Sequence, residues 1–185
     1  MSKKTEIIAI IGTLDTKADE VRYIKEQIEE KGHKTIIIDS GVIGEPLIKA
    51  NFPREEVAKA GGKSLKALIE AAERGADRAQ ATNVMIEGVK KVVNKLHSSG
   101  KLNGIFSLGG STGTAIGVSA MKTLPTGFPK LVATTTLDTI DVGDKDITLM
   151  QMPADLLGLN VVMKKALANA AGAIVGMVEA EKMVR

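Results

Sequence analysis

Two short runs contain the residues whose types and spacing could do chemistry. Gly12-Thr13-Leu14-Asp15-Thr16-Lys17 follows one apolar stretch, and Gly109-Gly110-Ser111-Thr112-Gly113-Thr114 follows another and leads straight into a helix-like segment. Small residues let backbone N–H groups come close to an anion, and a helix start adds unsatisfied donors and the positive end of its dipole. Together these make a phosphate or carboxylate cradle, in which the main-chain amides at Gly110 and Gly113 would face the anion. The competing reading is a tight turn in which a hydroxyl side chain caps the helix. Neither run matches the Gly-x-x-x-x-Gly-Lys-Ser/Thr loop or the Gly-x-Gly-x-x-Gly fingerprint.

Several neighbours extend the candidate site. Lys17 stands where it could reach a phosphate, or it is a solvated lysine of a first helical turn. Thr16 with Asp19 has the spacing of a capping box, with Asp in place of Glu. Asp39 lies 27 residues beyond Gly12, where dinucleotide folds place the acid that holds a ribose hydroxyl; an Asx turn before Ser40-Gly41 is the alternative. Asp138, Asp141, Asp144 and Asp146, together with Asp15, could offer oxygen ligands to Mg²⁺, or simply form a solvated loop. His33 and His97 read as surface residues at helix ends with no catalytic partner. A nucleophile, if there is one, would be the hydroxyl of Thr13 or Ser111, with Asp15 as the nearby carboxylate.

These residues need a scaffold, and hydropathy supplies one. Residues 6–11 (EIIAII) are rich in β-branched residues and nearly continuous in hydrophobicity, the pattern of a strand buried on both faces of a parallel sheet. Val21, Ile24 and Ile28 recur at helical spacing over 17–31, and Gly32 stops the helix. Residues 35–38 form a second strand, which completes a βαβ unit. After a long connection over 41–62, with a short helix following Pro53, helices are predicted over 64–73 and 76–96, a strand over 104–108 and a helix over 114–121. Strands over 130–135 and 147–150 and a final helix from about 154 complete the pattern. The resulting fold class is α/β, a Rossmann-like doubly wound, mostly parallel sheet with helices on both faces. In strand order 2-1-3-4-5, ligands bind beyond the carboxyl ends of strands 1 and 3.

Composition narrows the function. The 185 residues suit a single domain, and a net charge of +3 with one Tyr, three Phe and no Trp gives little to hold nucleic acid. The lack of Cys rules out thiolate chemistry. The apolar stretch near the start is too short for a signal-peptide core, so the expected location is cytoplasmic. Residues 166–178 carry no charge, which is too short a run to span a bilayer. A helix so apolar on all sides is expected to bury more than one face, against its own sheet and against a second copy in a homodimer.

The set GTLDTKADE, DSGVIGEP, a Pro-Arg-Glu-Glu-Val-Ala segment, SLGGSTGTA, the run MKTLPTGFPK and GLN followed by LANAAGAIVGMV resembles the Tm-1-like ATP-binding family, also called UPF0261. The likeness runs in order along nearly the whole chain. It implies a nucleotide ligand, ATP with or without Mg²⁺, a homodimer, and a chain corresponding to the N-terminal half of a longer architecture, with the C-terminal half as partner. The plant member of that family is a tobamovirus-resistance protein. Where the family has a Gly-rich segment with Ser-Gly-Asp and Pro-Tyr-Val-Gly, this chain has Thr136-Leu137-Asp138-Thr139-Ile140-Asp141-Val142-Gly143. Beside nucleotide binding stand two alternatives, a phosphotransferase or hydrolase using Thr13 or Ser111, and a protein-interaction module that its ligand only stabilises.

Overall fold

The computed structural model describes residues 5–73, 78–137, 140–153 and 158–180. Asp138 and the start proposed for the last helix lie outside these residues. Five parallel strands, β1 (Ile7–Gly12), β2 (Lys34–Asp39), β3 (Gly104–Gly109), β4 (Lys130–Thr134) and β5 (Thr148–Gln151), form one sheet in the order β2-β1-β3-β4-β5. The α/β doubly wound expectation and its strand order are both observed. The helices are α1 (Ala18–Glu30), α2 (Arg54–Ala60), α3 (Leu65–Glu73), α4 (Arg78–Ser98), α5 (Ser111–Met121) and α6 (Val161–Ala180).

Alternation along each strand sorts the core into two layers. Ile8, Ile10, Phe106, Leu108, Leu131 and Ala133 face α1 and α6. Ala9, Ile11, Ile105 and Val132 face the layer of α2 to α5. Successive side chains of a strand point to opposite sides, so a continuous apolar run is what a sheet covered on both faces requires. The N–H of Gly32, which has φ +88°, returns to the Glu29 carbonyl, as expected of a glycine closing α1.

Local expectations fail in two places. The capping box does not form, because Lys17 is the N-cap of α1 and has no side-chain cap bond, while Asp19 pairs with Arg22 at 2.7 Å. His33 is buried, not on the surface: the Glu6 N–H donates to its Nδ1 and its Nε2 lies 3.0 Å from Glu179 at the end of α6. The connection after β2 carries the short helix expected after Pro53, α2 (Arg54–Ala60). Phe52 forms a parallel bridge with Ile38, so this segment runs beside the sheet edge before α2 begins.

Helix α6 is, by length and composition alone, apolar enough to cross a membrane. Met163, Leu167, Ala170, Ala171, Ile174 and Val178 are nonetheless buried in the core layer shared with α1 and the sheet, as in an amphipathic core helix. On another side, a Cβ at Gly172 or Gly176 would have no atom within 4 Å. Gly172→Ala should therefore raise unfolding stability by about 0.5–1 kcal/mol in urea titration, the usual gain over glycine within a helix. Destabilisation instead would mean that another polypeptide packs on this side.

A buried lysine ties the far edge of the sheet. Lys130 Nζ donates to the Pro125 carbonyl and to Asp146 Oδ1, each at 2.7 Å, and Asp146 Oδ2 accepts the Gly127 N–H. The Lys130 hydrogen bond is the largest influence on the Asp146 carboxyl and holds it below the ordinary aspartate range. A depressed folded value means that the stabilisation is present above the unfolded carboxyl's pKa and lost as pH falls through the folded one. Asp146→Asn should remove that acid-side dependence from a stability–pH series, and an unchanged acid limb would refute the assignment.

Candidate functional site

The carboxyl ends of β1 and β3 open into a single cavity of 380 Å³, where the two glycine- and hydroxyl-rich runs meet. Thr13, Asp15, Thr16 and Lys17 line it on one side, and Gly109, Gly110, Ser111, Thr112 and Gly113 on the other. Its remaining wall comes from 40–43 after β2, from Leu68 and Ala71 of α3, and from Gln80, Ala81 and Thr82 of α4. Three of the sequence candidates, Gly12, Asp39 and Thr114, are not among the lining residues. Gly12 is covered by α1, and a Cβ there would lie 2.7 Å from Val21 Cγ2. Thr114 is buried and donates to Thr134 Oγ1 at 2.7 Å, and it also lines a smaller cavity of 200 Å³ beside α5.

The glycines of the second run divide their work. A Cβ at Gly109 would lie 2.9 Å from Gly113 Cα, one at Gly113 would lie 3.3 Å from the Leu108 carbonyl oxygen, and one at Gly117 would lie 2.1 Å from Ser107 Oγ. These three let α5 settle directly on β3. Gly113 therefore serves helix-to-strand packing, and a side chain there would push on β3 before it filled any cradle. Gly110 is the N-cap of α5 and caps it with no side chain. The hydroxyl-capped turn considered for this run is not what forms. The first intrahelical bond runs from the Thr114 N–H to the Gly110 carbonyl, so the N–H groups of Ser111, Thr112 and Gly113 come too early to have an acceptor within the helix, and these three residues stand at the cavity wall.

The first run is held by its own hydrogen bonds. The Thr13 carbonyl accepts from the N–H groups of Thr16 and Lys17, and the Thr13 and Thr16 hydroxyls are 3.0 Å apart. The Thr16 hydroxyl also reaches Asp15 Oδ1 at 3.4 Å. Asp15 Oδ2 accepts the Gly44 N–H at 3.1 Å, and a Cβ on Gly44 would lie 2.8 Å from Asp15 Cβ. The Leu47 N–H donates to the Leu14 carbonyl, so the segment after β2 is strapped onto this run at two points.

Asp39 is buried and its carboxylate is already engaged. Oδ1 accepts from the N–H groups of Gly41 (2.9 Å) and Leu14 (3.2 Å), and Oδ2 lies 3.5 Å from Nε of the equally buried Arg54. The Asx-turn alternative is the one whose bonds are present. Burial pushes this carboxyl above the ordinary aspartate range, while the two N–H donors and Arg54 pull it back. Sequence reasoning missed Arg54, the residue that pairs with it, and also Ser40, whose buried hydroxyl has no partner although the residue lines the cavity.

The other candidates do not gather here. Asp146 is bound to Lys130, and Asp141 accepts the Gly143 N–H within its own turn. Among the described residues no three acidic or histidine side chains come together as a metal site. His33 is held at the opposite end of the sheet, and His97 stacks edge-on against Phe128.

Comparison with known proteins places this chain among relatives. The model of the uncharacterised protein family UPF0261, N-terminal domain, matches residues 6–183. A UPF0261 protein of Clostridium tetani is 43% identical over 182 residues, covering 97% of this chain and 43% of the relative. A UPF0261 protein of Brucella suis is 31% identical over 173 residues, covering 91% of this chain and 40% of the relative. The ToMV susceptible protein tm-1(GCR26) of Solanum lycopersicum is 29% identical over 182 residues, covering 91% of this chain and 24% of that protein. The chain spans less than half the length of these relatives.

Proposed function

The chain belongs to the UPF0261 family, and from that premise we propose that it binds a nucleotide or other phosphorylated small molecule, with ATP as the first ligand to test. The observation that supports this reading is the α5 N-terminus, capped by no side chain, at the wall of a cavity that the hydroxyl-rich run after β1 also lines. In this reading a phosphoryl group sits against the first amides of α5, where the dipole favours negative charge. Lys17 supplies a countercharge from across the cleft. The uncharged part of the ligand lies toward Val42, Ile43, Leu68 and Ala81, an apolar wall of the kind small-molecule sites use. Mg²⁺ would enter on the phosphates, with Asp15 as the lining carboxylate beside them.

Calorimetric titration with ATP, with and without Mg²⁺, and with inorganic phosphate tests this reading. Saturable binding without product supports a binding domain, and no binding of any of the three refutes it. A second reading, hydrolysis or phosphoryl transfer, is favoured by the run of contacts from the Thr13 hydroxyl through Thr16 to Asp15. Product release followed by phosphorus NMR, lost in Thr13→Val, would establish it.

A further inference from the structure

We propose that Ser40 determines ligand specificity in this cleft by hydrogen-bonding a hydroxyl on the sugar of the bound nucleotide, an assignment that rests on the nucleotide reading above. Ser40 is only 2% exposed, and its hydroxyl has no hydrogen-bond partner. Buried hydroxyls are ordinarily paired, so an orphan hydroxyl on a residue that lines a cavity points to a group that arrives from outside the protein. Ser40 lines the same cavity as the α5 N-terminus.

Its position is fixed by the backbone. The Ser40 N–H donates to the Gly12 carbonyl at 3.0 Å, and the next N–H, that of Gly41, is held by Asp39 Oδ1. Ser40 thus follows directly on β2, two strand spacings from β3 across β1, roughly 10 Å. A ligand with its phosphate at the end of β3 would extend its sugar toward β2, where Asp39 is already engaged by backbone donors and Arg54. A serine hydroxyl both donates and accepts, as a ribose hydroxyl does, so the two can pair in either direction.

The test compares ATP with 2′,3′-dideoxy-ATP, both with Mg²⁺, on the parent protein and on Ser40→Ala by calorimetry. The parent should bind the dideoxy nucleotide roughly three- to tenfold more weakly, the worth of a neutral hydrogen bond. Ser40→Ala should bind ATP more weakly by a similar factor and no longer separate the two ligands. A preference for ATP that survives in Ser40→Ala overturns the assignment while leaving nucleotide binding intact. Failure of the parent to bind either nucleotide overturns the nucleotide reading, and this assignment with it. Without ligand, Ser40→Ala should melt no lower than the parent, since its hydroxyl holds nothing in the folded protein. A melting point several degrees lower would make Ser40 structural and equally overturn the assignment.

Discussion

Thr112→Glu should weaken binding of both ATP and inorganic phosphate by about a hundredfold or more, in a protein at least as stable as the parent. Thr112 is exposed at the second position of α5, lines the cleft, and belongs to a first turn that contains no acidic residue. A carboxylate there satisfies the helix end and is worth about 0.3–1 kcal/mol to the fold. The same charge within about 6 Å of a bound phosphate repels it by roughly 3 kcal/mol at an effective dielectric constant near 20. Opposite signs for binding and stability separate this from a folding defect. Thr112→Gln should stay near the parent, and the loss in Thr112→Glu should shrink with added salt. Parent-like affinity in Thr112→Glu would remove α5 from the proposed site.

Asp39→Ala carries the largest expected cost in stability, about 3–5 kcal/mol in urea unfolding of the ligand-free protein. Removing the carboxylate leaves Arg54 as an uncompensated buried charge and strips the acceptor from the Leu14 and Gly41 N–H groups. Arg54 Nη2 is also buried without a hydrogen-bond partner, so the Asp39 carboxylate facing Nε is the charge that balances this guanidinium. Asp39→Asn keeps an acceptor for the two amides and should fall between parent and Asp39→Ala. A loss below 1 kcal/mol in Asp39→Ala would show that the pair does not hold the two loops together. A ribose-binding role alone would leave the ligand-free protein unaffected.

Asp39 also shows where sequence reading stops. Its place at the end of β2 was legible, as was the choice between ribose and turn. That the carboxylate is also engaged by Leu14 and by Arg54, 15 residues further on and beyond the long connection, was not, because no local pattern announces those contacts. The glycine run behaves in the same way. Its position between strand and helix followed from sequence, but the assignment of Gly109, Gly113 and Gly117 to packing on β3 needed the positions of the atoms a Cβ would meet. His33 read as a surface residue because it follows a helix-ending glycine, and it is buried because Glu179 reaches it from the far end of the chain.

The sequence alone determined the architecture and the location of the cleft. Uninterrupted β-branched runs separated by helical periodicity specify a parallel sheet covered on both faces, and strand order then brings the loops after β1 and β3 together. These are consequences of hydropathy and chain connectivity, both written locally. Tertiary structure alone decided which side chains face the cavity and which are consumed in holding it. Leu68, Ala71 and the stretch 80–82 became part of the wall because α3 and α4 pack beside the strand ends. Ser40 rather than its neighbour Asp39 was left with an unpaired hydroxyl. A side chain bonds whichever partner packing brings within reach, and for Asp39 two of those partners, Leu14 and Arg54, are distant in sequence.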